Sequence, residues 1–270
     1  MPLGVTIIGI GGRLGSTIAR EVIQDDRFKL VGGIVRSDSD HVDKDLGELA
    51  GTPWINRMSV VRLEDGLQGA DIVIDASTPQ STVAVVRRLT ENGGPALISG
   101  VTGFSDEQFD ALRQAAETIP VLTARNFSIG ISLVEMLVST AAAALPAELW
   151  DAEISETHHR YKADAPSGTA LVLGEAVANA RHQMLDLVAE KSRSSADARR
   201  LPGAIGFSSR RGGAIVGDHE VGFLSNNEEI TISHRALDRR VFAVGALTAA
   251  NWLHGRSPGL YGMRDVINGN

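Results

Sequence analysis

The chain has no cysteine. That excludes a disulfide scaffold, a thiol nucleophile and any Cys-ligated zinc or iron–sulfur centre. Aromatic residues make up 4% of the sequence, too few for base-stacking platforms or membrane-interface belts. Basic charge is in deficit: 26 Lys and Arg against 33 Asp and Glu leave a formal charge of −7, which argues against a nucleic-acid surface. No apolar run approaches the roughly 18 to 20 residues that cross a bilayer, and no basic leader precedes the apolar run at Val5–Ile10. A soluble, cytoplasmic protein with no nucleic-acid and no membrane partner is the expectation. Lysine is scarce even among the basic residues, with only Lys29, Lys44, Lys162 and Lys191. What is present is an ordinary globular balance, 43% apolar and 22% charged over 270 residues, enough for one large domain or two smaller ones with a real core.

Strand and helix alternate through the first half. Short β-branched runs at 4–10, Leu30–Val35, Asp71–Ala76, Ala96–Ser99 and Pro120–Ala124 predict strands, with Val60–Leu63 as a candidate for another. Between them, residues 13–24 place Leu14, Ile18, Val22 and Ile23 on one helical face, Pro79 opens a helix to about Glu91, and Ser105 caps one to about Glu117. That rhythm predicts a parallel sheet with helices on both faces. After residue 127 the pattern is α+β: helices at Ser128–Leu145 and Ser167–Met184, strands at Trp150–Glu156, Ile205–Ser209, Ala214–Leu224 and Glu229–His234, and a closing helix at Asp238–Leu253. Its sheet is expected to be mixed and mostly antiparallel, and the polar stretch 185–203 to be a surface excursion.

Gly9-Ile10-Gly11-Gly12-Arg13-Leu14-Gly15 joins the first strand to the first helix. Glycines there let the backbone turn tightly and a pyrophosphate approach, while the helix N-terminus offers free amides and a positive dipole. The strand–loop–helix setting favours this reading over a tight turn without ligand, although the spacing departs from the strict G-x-G-x-x-G form. The second strand ends Val35-Arg36-Ser37-Asp38. Arg36 and Ser37 can both donate to a 2′-phosphate, and Arg13 can add charge or stack on adenine, which predicts NADPH. The competing reading takes Asp38 as the ribose acceptor and keeps NADH.

Glu156-Thr-His158-His159-Arg160-Tyr161-Lys162-Ala-Asp164-Ala-Pro-Ser167-Gly168-Thr169-Ala170 is the densest polar stretch, leaving a strand and entering a helix. Histidine and lysine can exchange a proton there, whereas arginine holds its proton too tightly. Ser167, Gly168 and Thr169 open a helix whose free amides form an anion site. The spacing is wrong for a metal pair, because His158 and His159 are strand neighbours that point to opposite faces and no third ligand follows at motif spacing, so no metal is expected. Ser167 lacks the Gly-x-Ser-x-Gly setting of a nucleophile and reads as an N-cap. The stretch predicts an anionic small-molecule substrate held beside a proton donor.

At these residues the sequence resembles the 4-hydroxy-tetrahydrodipicolinate (dihydrodipicolinate) reductase family. The likeness runs through Gly9–Gly15, Asp75–Pro79, Gly100–Phe104, Asn126–Gly130, His158–Ala170, Pro202–Phe207, Arg211–Gly213, Val216–His219, His234–Ala236, Phe242–Ala246 and Gly259–Asp265. It implies a Rossmann-type dinucleotide domain over 1–127, completed by 237–270, and an α+β substrate-binding and tetramerisation domain over 128–236. It implies an NAD(P)H-dependent reduction, with loss of water, of a cyclic imine dicarboxylate in diaminopimelate and lysine biosynthesis. By position it implies His158 as proton donor and acceptor and Lys162 as proton donor, with His159, Ser167, Gly168 and Thr169 holding carboxylates. Gly9, Ile10, Gly11, Gly12, Arg13, Leu14, Arg36, Ser37, Gly100, Val101, Thr102, Ala124, Arg125, Asn126 and Phe127 line the cofactor in that reading. Hinge closure near Asn126–Gly130 and Ala236–Arg239 is the accompanying expectation. The sequence departs from the family pattern at Arg36 in place of the usual acid, at Val101 for a frequent threonine, at Thr78 where some members carry arginine, and at Tyr161 where histidine is common. A reductase of another cyclic imino acid, or a non-catalytic NADPH-binding regulator, are the alternatives; retention of His158 and Lys162 argues against the latter.

Overall fold

The computed structural model describes residues 1–91, 93–193 and 198–269. Part of the predicted excursion at 185–203, residues 194–197, lies outside the described residues, as do Asn92 and Asn270. In chain order the elements are β1 (Leu3–Ile8), α1 (Arg13–Gln24), β2 (Phe28–Ile34), α2 (Leu46–Ala50), α3 (Leu63–Gly66), β3 (Ile72–Asp75), α4 (Pro79–Thr90), β4 (Ala96–Ser99), α5 (Asp106–Ala115), β5 (Pro120–Thr123), α6 (Ile129–Ala144), β6 (Asp151–His158), α7 (Gly168–Ala180), α8 (Leu185–Val188), β7 (Ala189–Glu190), β8 (Ile205–Arg211), β9 (Gly217–Leu224), β10 (Glu229–Ala236), α9 (Arg240–Leu253), β11 (Gly259–Tyr261) and α10 (Met263–Asn268). They divide into two compact units, Met1–Ile129 with Arg240–Asn270, and Gly130–Arg239.

The first unit is built on a six-stranded sheet in the order β11-β5-β4-β3-β1-β2, with every pairing parallel. A parallel sheet needs cover on both faces, and the strands alternate accordingly. Ile72 and Ile74 of β3 join the core under α1 and α9, with Ile18, Val22, Ala246 and Ala250, while Val73 joins the core under α4 and α5, with Val85, Leu89 and Leu112. Helix α5 starts in a capping box between Ser105 and Gln108, and α4 starts with Pro79 behind a Thr78 cap. Strand β1 sits between β2 and β3, so the order in which strands are added reverses there and the loops after β1 and β3 diverge at the carboxyl edge, where ligands of this architecture bind.

The expected strand at Val60–Leu63 does not form. Val60 makes only an isolated bridge to Ile34, and Leu63 opens α3 with Glu64 and Asp65 in its first turn, where the helix dipole favours acids. The tail contributes more than a closing helix: β11 adds to the sheet edge beside β5.

In the second unit the sheet order is β10-β9-β6-β8-β7, with β9 antiparallel to both β10 and β6, and β8 parallel to both β6 and β7. Ile154, Phe207, Val221 and Phe223 pack one face against Val138 of α6 and Leu173 and Val177 of α7. The opposite face is polar and carries an open groove of about 370 Å³ between residues such as Thr157, Arg210, Glu220 and Ser233. The stretch predicted as a surface excursion instead supplies α8 and the edge strand β7, and Arg200 from it pairs with Glu153 of β6 at 2.8 Å. No helix among the described residues is long and apolar enough to cross a membrane.

Candidate active site

In the first unit the glycine loop is held by its own backbone. Gly9 sits at φ +76°, its amide donates to the Ile34 carbonyl at 2.9 Å, and the Gly12 amide returns to the Gly9 carbonyl at 2.9 Å. A Cβ at Gly9 would stand 2.8 Å from the Ala76 carbonyl, and one at Gly15 would collide with the Gly9 carbonyl. Ile10 is fully buried and anchors the loop. Helix α1 then starts on Gly12 with no side-chain cap and no acid in its first turn. Its terminal amides and dipole are left for an anion, so this loop fits a dinucleotide pyrophosphate.

The neighbouring strand ends bring the rest of the predicted cofactor set to the same edge. Asp75, fully buried at the end of β3, accepts from Thr82 Oγ1 at 2.6 Å and from the Ser77 amide at 2.9 Å. Burial raises its pKa in spite of those bonds. After β4, the Gly100 amide donates to the Asp75 carbonyl at 2.9 Å, and the Phe127 ring packs where a Gly100 side chain would be. Val101 and Ala124 are buried beside them, Asn126 Oδ1 accepts from the Ser128 amide at 2.8 Å, and Thr102 and Arg125 are exposed. Arg13 is exposed at the start of α1 and Leu14 is half-buried. Past β2, Arg36 and Asp38, the two rival readers of the ribose, are each other's partner at 3.5 Å, both largely exposed, with Ser37 exposed between them.

In the second unit, charge is buried rather than displayed. Residues two apart on a strand share a face, so Glu156 and His158 of β6 lie side by side, and His158 Nδ1 meets Glu156 Oε2 at 2.6 Å. Arg211, paired with His158 across the parallel β8 ladder, grips both carboxylate oxygens at 2.7 and 2.8 Å. The Ser167 amide adds a bond to Glu156 Oε1 at 3.2 Å. Burial works against the Glu156 charge, but bonds from Arg211, Ser209 and His158 outweigh it and hold the carboxyl down at about 2. Burial also pushes the His158 pKa below its usual value; Lys162 and Arg211 push the same way and Glu156 opposes them. Across the antiparallel ladder His219 faces Glu156, lies edge-on to His158 with ring centroids 5.0 Å apart, and reaches Ser167 Oγ at 3.0 Å. Burial first, then the His158 charge, lower its pKa to about 4.

Ser167 caps α7 through the Ala170 amide at 3.1 Å. Gly168 and Thr169 occupy the next two positions, and a Cβ at Gly168 would meet nothing within 4 Å, so that surface is open. Lys162 is largely sheltered and its ammonium contacts Asp164 at 2.9 Å. The His159 amide donates to the Ile215 carbonyl at 2.8 Å and its Nδ1 is buried without a bond. The structure thus gathers His158, Ser167 and Lys162 around one end of β6, and adds Glu156, Arg211, His219 and Asp164, to which sequence reasoning gave no role. Period-two alternation could have flagged Glu156; Arg211 and His219 depend on strand register.

Residues 3–127 match the family model described as dihydrodipicolinate reductase, N-terminus, and residues 130–267 match that for the C-terminus. The chain is 42% identical to 4-hydroxy-tetrahydrodipicolinate reductase of Caulobacter vibrioides, over 98% of this chain and 97% of the relative. It is 41% identical to the enzyme of that name from Brucella abortus, over 99% of this chain and all of the relative. Among solved structures, dipicolinate-bound dihydrodipicolinate reductase from Paenisporosarcina sp. TG-14 aligns with a TM-score of 0.78 at 25% identity, covering 98% of this chain and 99% of that one. An amine dehydrogenase from Mycobacterium smegmatis shares the fold, with a TM-score of 0.64 at 14% identity over 98% of this chain and 96% of that one.

Proposed function

The chain belongs to the dihydrodipicolinate reductase family, and from that membership we propose that it reduces 4-hydroxy-tetrahydrodipicolinate, with loss of water, to tetrahydrodipicolinate on the way to diaminopimelate and lysine. It is an oxidoreductase whose N-terminal half binds a pyridine nucleotide; the proposal makes that nucleotide NADPH in preference to NADH. The cofactor, when bound, supplies hydride. The residues in contact with it in this reading are Gly9–Leu14, Arg36, Ser37, Gly100–Thr102 and Ala124–Phe127.

The observation that carries the reading is the gathering of His158, Lys162 and the N-terminus of α7 at one end of β6. The positive dipole end of α7, with His159 and the Lys162 ammonium, supplies positive potential for a dicarboxylate in an acidic chain. Reduction of the ring calls for a proton, which Lys162 delivers and His158 exchanges. Asp164 keeps the Lys162 ammonium placed until substrate arrives. A homotetramer in the cytoplasm belongs to the same proposal, and sedimentation velocity tests the assembly. The decisive assay gives purified protein the freshly generated condensation product of pyruvate and aspartate semialdehyde and follows NADPH absorbance. Rapid oxidation is expected; turnover only with other cyclic imines, or binding of NADPH without turnover, overturns the reading.

A further inference from the structure

We infer that Glu156, clamped by Arg211, is a positioning residue that holds His158 as the Nδ1-protonated tautomer and so makes Nε2 the nitrogen that exchanges a proton with substrate. The tautomer stands on the structure alone; the exchange with substrate rests on the reductase reading above.

A carboxylate has no proton to give, so at 2.6 Å the His158 Nδ1 must be the donor. A histidine facing a free carboxylate in a buried site can lose that proton to it. Here Arg211 removes the option, because its two bonds at 2.7 and 2.8 Å stabilise the carboxylate and keep the proton on the ring. The Ser167 amide, at 3.2 Å, fixes the carboxylate plane from a third side. Glu156 is thereby locked from β6, β8 and the start of α7, and a rotated His158 ring would leave a buried carboxylate oxygen short of a donor.

The other ring edge has been left clear. A Cβ at residue 217 would stand only 3.1 Å from His158 Nε2, so the glycine there makes room for the imidazole. Among the described residues His219 is the titratable ring packed against it, and its Nε2 is occupied. Ser167 Oγ already accepts from the Ala170 amide, so its hydroxyl proton points to His219 Nε2. His219 stays neutral at its depressed pKa of about 4 and does not compete for the proton. The charged and titratable groups facing His158 are therefore Glu156 on its own strand, Lys162 on the following turn, Arg211 on β8 and His219 on β9, while α7 presents the uncharged Ser167.

The test is nitrogen-resolved NMR of the imidazoles in the full-length protein at about pH 8, above the usual histidine range, with His158→Gln to assign the ring. The expected spectrum has His158 protonated at Nδ1 and bare at Nε2. Glu156→Gln should mix the tautomers, lower kcat by about 10²-fold while leaving the KM for NADPH unchanged, and move the His158 limb of the pH profile to lower pH, because the anionic partner is gone. That variant strands the Arg211 charge, so Glu156→Gln combined with Arg211→Met is the companion that folds without it and should show the same mixed tautomer. An Nε2-protonated His158 in the unaltered protein overturns the inference. So does a Glu156→Gln variant with kcat within about twofold of the parent and an unmoved pH profile. The tautomer is read without turnover, so a failure of the reductase assay leaves that half of the result standing.

Discussion

Helix α1 begins on Gly12 with no side chain closing its first turn, whereas α7 begins on Ser167, whose hydroxyl takes the Ala170 amide and meets His219. Around α1 the charges that could meet a ligand, Arg13, Arg36 and Asp38, lie in solvent. Around α7 the charges are sunk into the sheet, with Glu156 only 2% exposed. The first site is specified by backbone shape, and its exposed charged side chains can be exchanged at little cost to the fold. The second is specified by side chains that neutralise one another, so the removal of one leaves another buried and unpaired.

The largest break in that comparison is expected at Lys162. Lys162→Ala should lower kcat by roughly 10²- to 10⁴-fold, with NADPH binding, followed by fluorescence, close to that of the parent. An unimpaired kcat removes Lys162 from the mechanism. Next comes Arg211→Met, which takes away the counter-charge of a buried carboxylate and should cost about 3 kcal/mol or more in urea unfolding. A loss below about 0.5 kcal/mol, the size expected at an exposed pair, would mean that the α7 site is no more embedded than the α1 site.

How much of this was legible in the sequence follows the same division. The glycine loop and the strands of the first sheet could be read locally, because a strand buried on both faces shows as a continuous apolar run bounded by glycine or proline. So could Ser167 as a cap, and the polar string from Glu156 to Ala170. Strand β11 escaped notice because three residues, Gly259–Tyr261, carry too little pattern, and their pairing with Pro120–Leu122 is long-range. Val60–Leu63 misled because its apolar ends look like a strand, although Glu64 and Asp65 already marked a helix start. The Glu156–Arg211–His219 cluster is made by register: β8 runs parallel to β6 and β9 antiparallel, and nothing local in either segment announces which residues will meet. Arg36 and Asp38, by contrast, were visible as competitors because they stand two residues apart.

The buried cluster should also betray itself in acid. His219 is held neutral in the folded state, with a pKa of about 4 against 6.5, so the unfolded chain binds the extra proton between those values. Its contribution is complete above about pH 6.5 and declines as pH falls towards 4, at up to about 1.4 kcal/mol per pH unit. Glu156 has the opposite origin and the lower window: its pKa is depressed from 4.5 to about 2, so its stabilisation is present above about pH 4.5 and is lost between 4.5 and 2. Urea midpoints measured from pH 8 to 3 should fall in these two successive stages, and His219→Gln should shrink the upper one, to which the depressed His158 and His234 also contribute. A profile that His219→Gln leaves unchanged would show that the ring is not held neutral.

The smallest effect on the fold, and the sharpest on selectivity, is expected at Arg36. Its pairing with Asp38 is long, at 3.5 Å, and both side chains are more than 70% exposed, at 82% and 72%, so Arg36→Ala should change stability by no more than about 0.5 kcal/mol. Loss of a charge-assisted bond to a 2′-phosphate is worth about 1.5 kcal/mol, roughly tenfold in the KM for NADPH, with no matching change for NADH. Asp38→Asn should act in the other sense: it frees Arg36 from its partner and removes an acid from the neighbourhood of the phosphate, so kcat/KM for NADPH should rise with little change for NADH. If instead Asp38→Asn damages NADH use and leaves NADPH untouched, Asp38 is the ribose reader and Arg36 a solvated neighbour. If neither substitution alters the ratio, the 2′ position is read elsewhere in the unit, and the backbone-built character of the α1 site extends even to its choice of nucleotide.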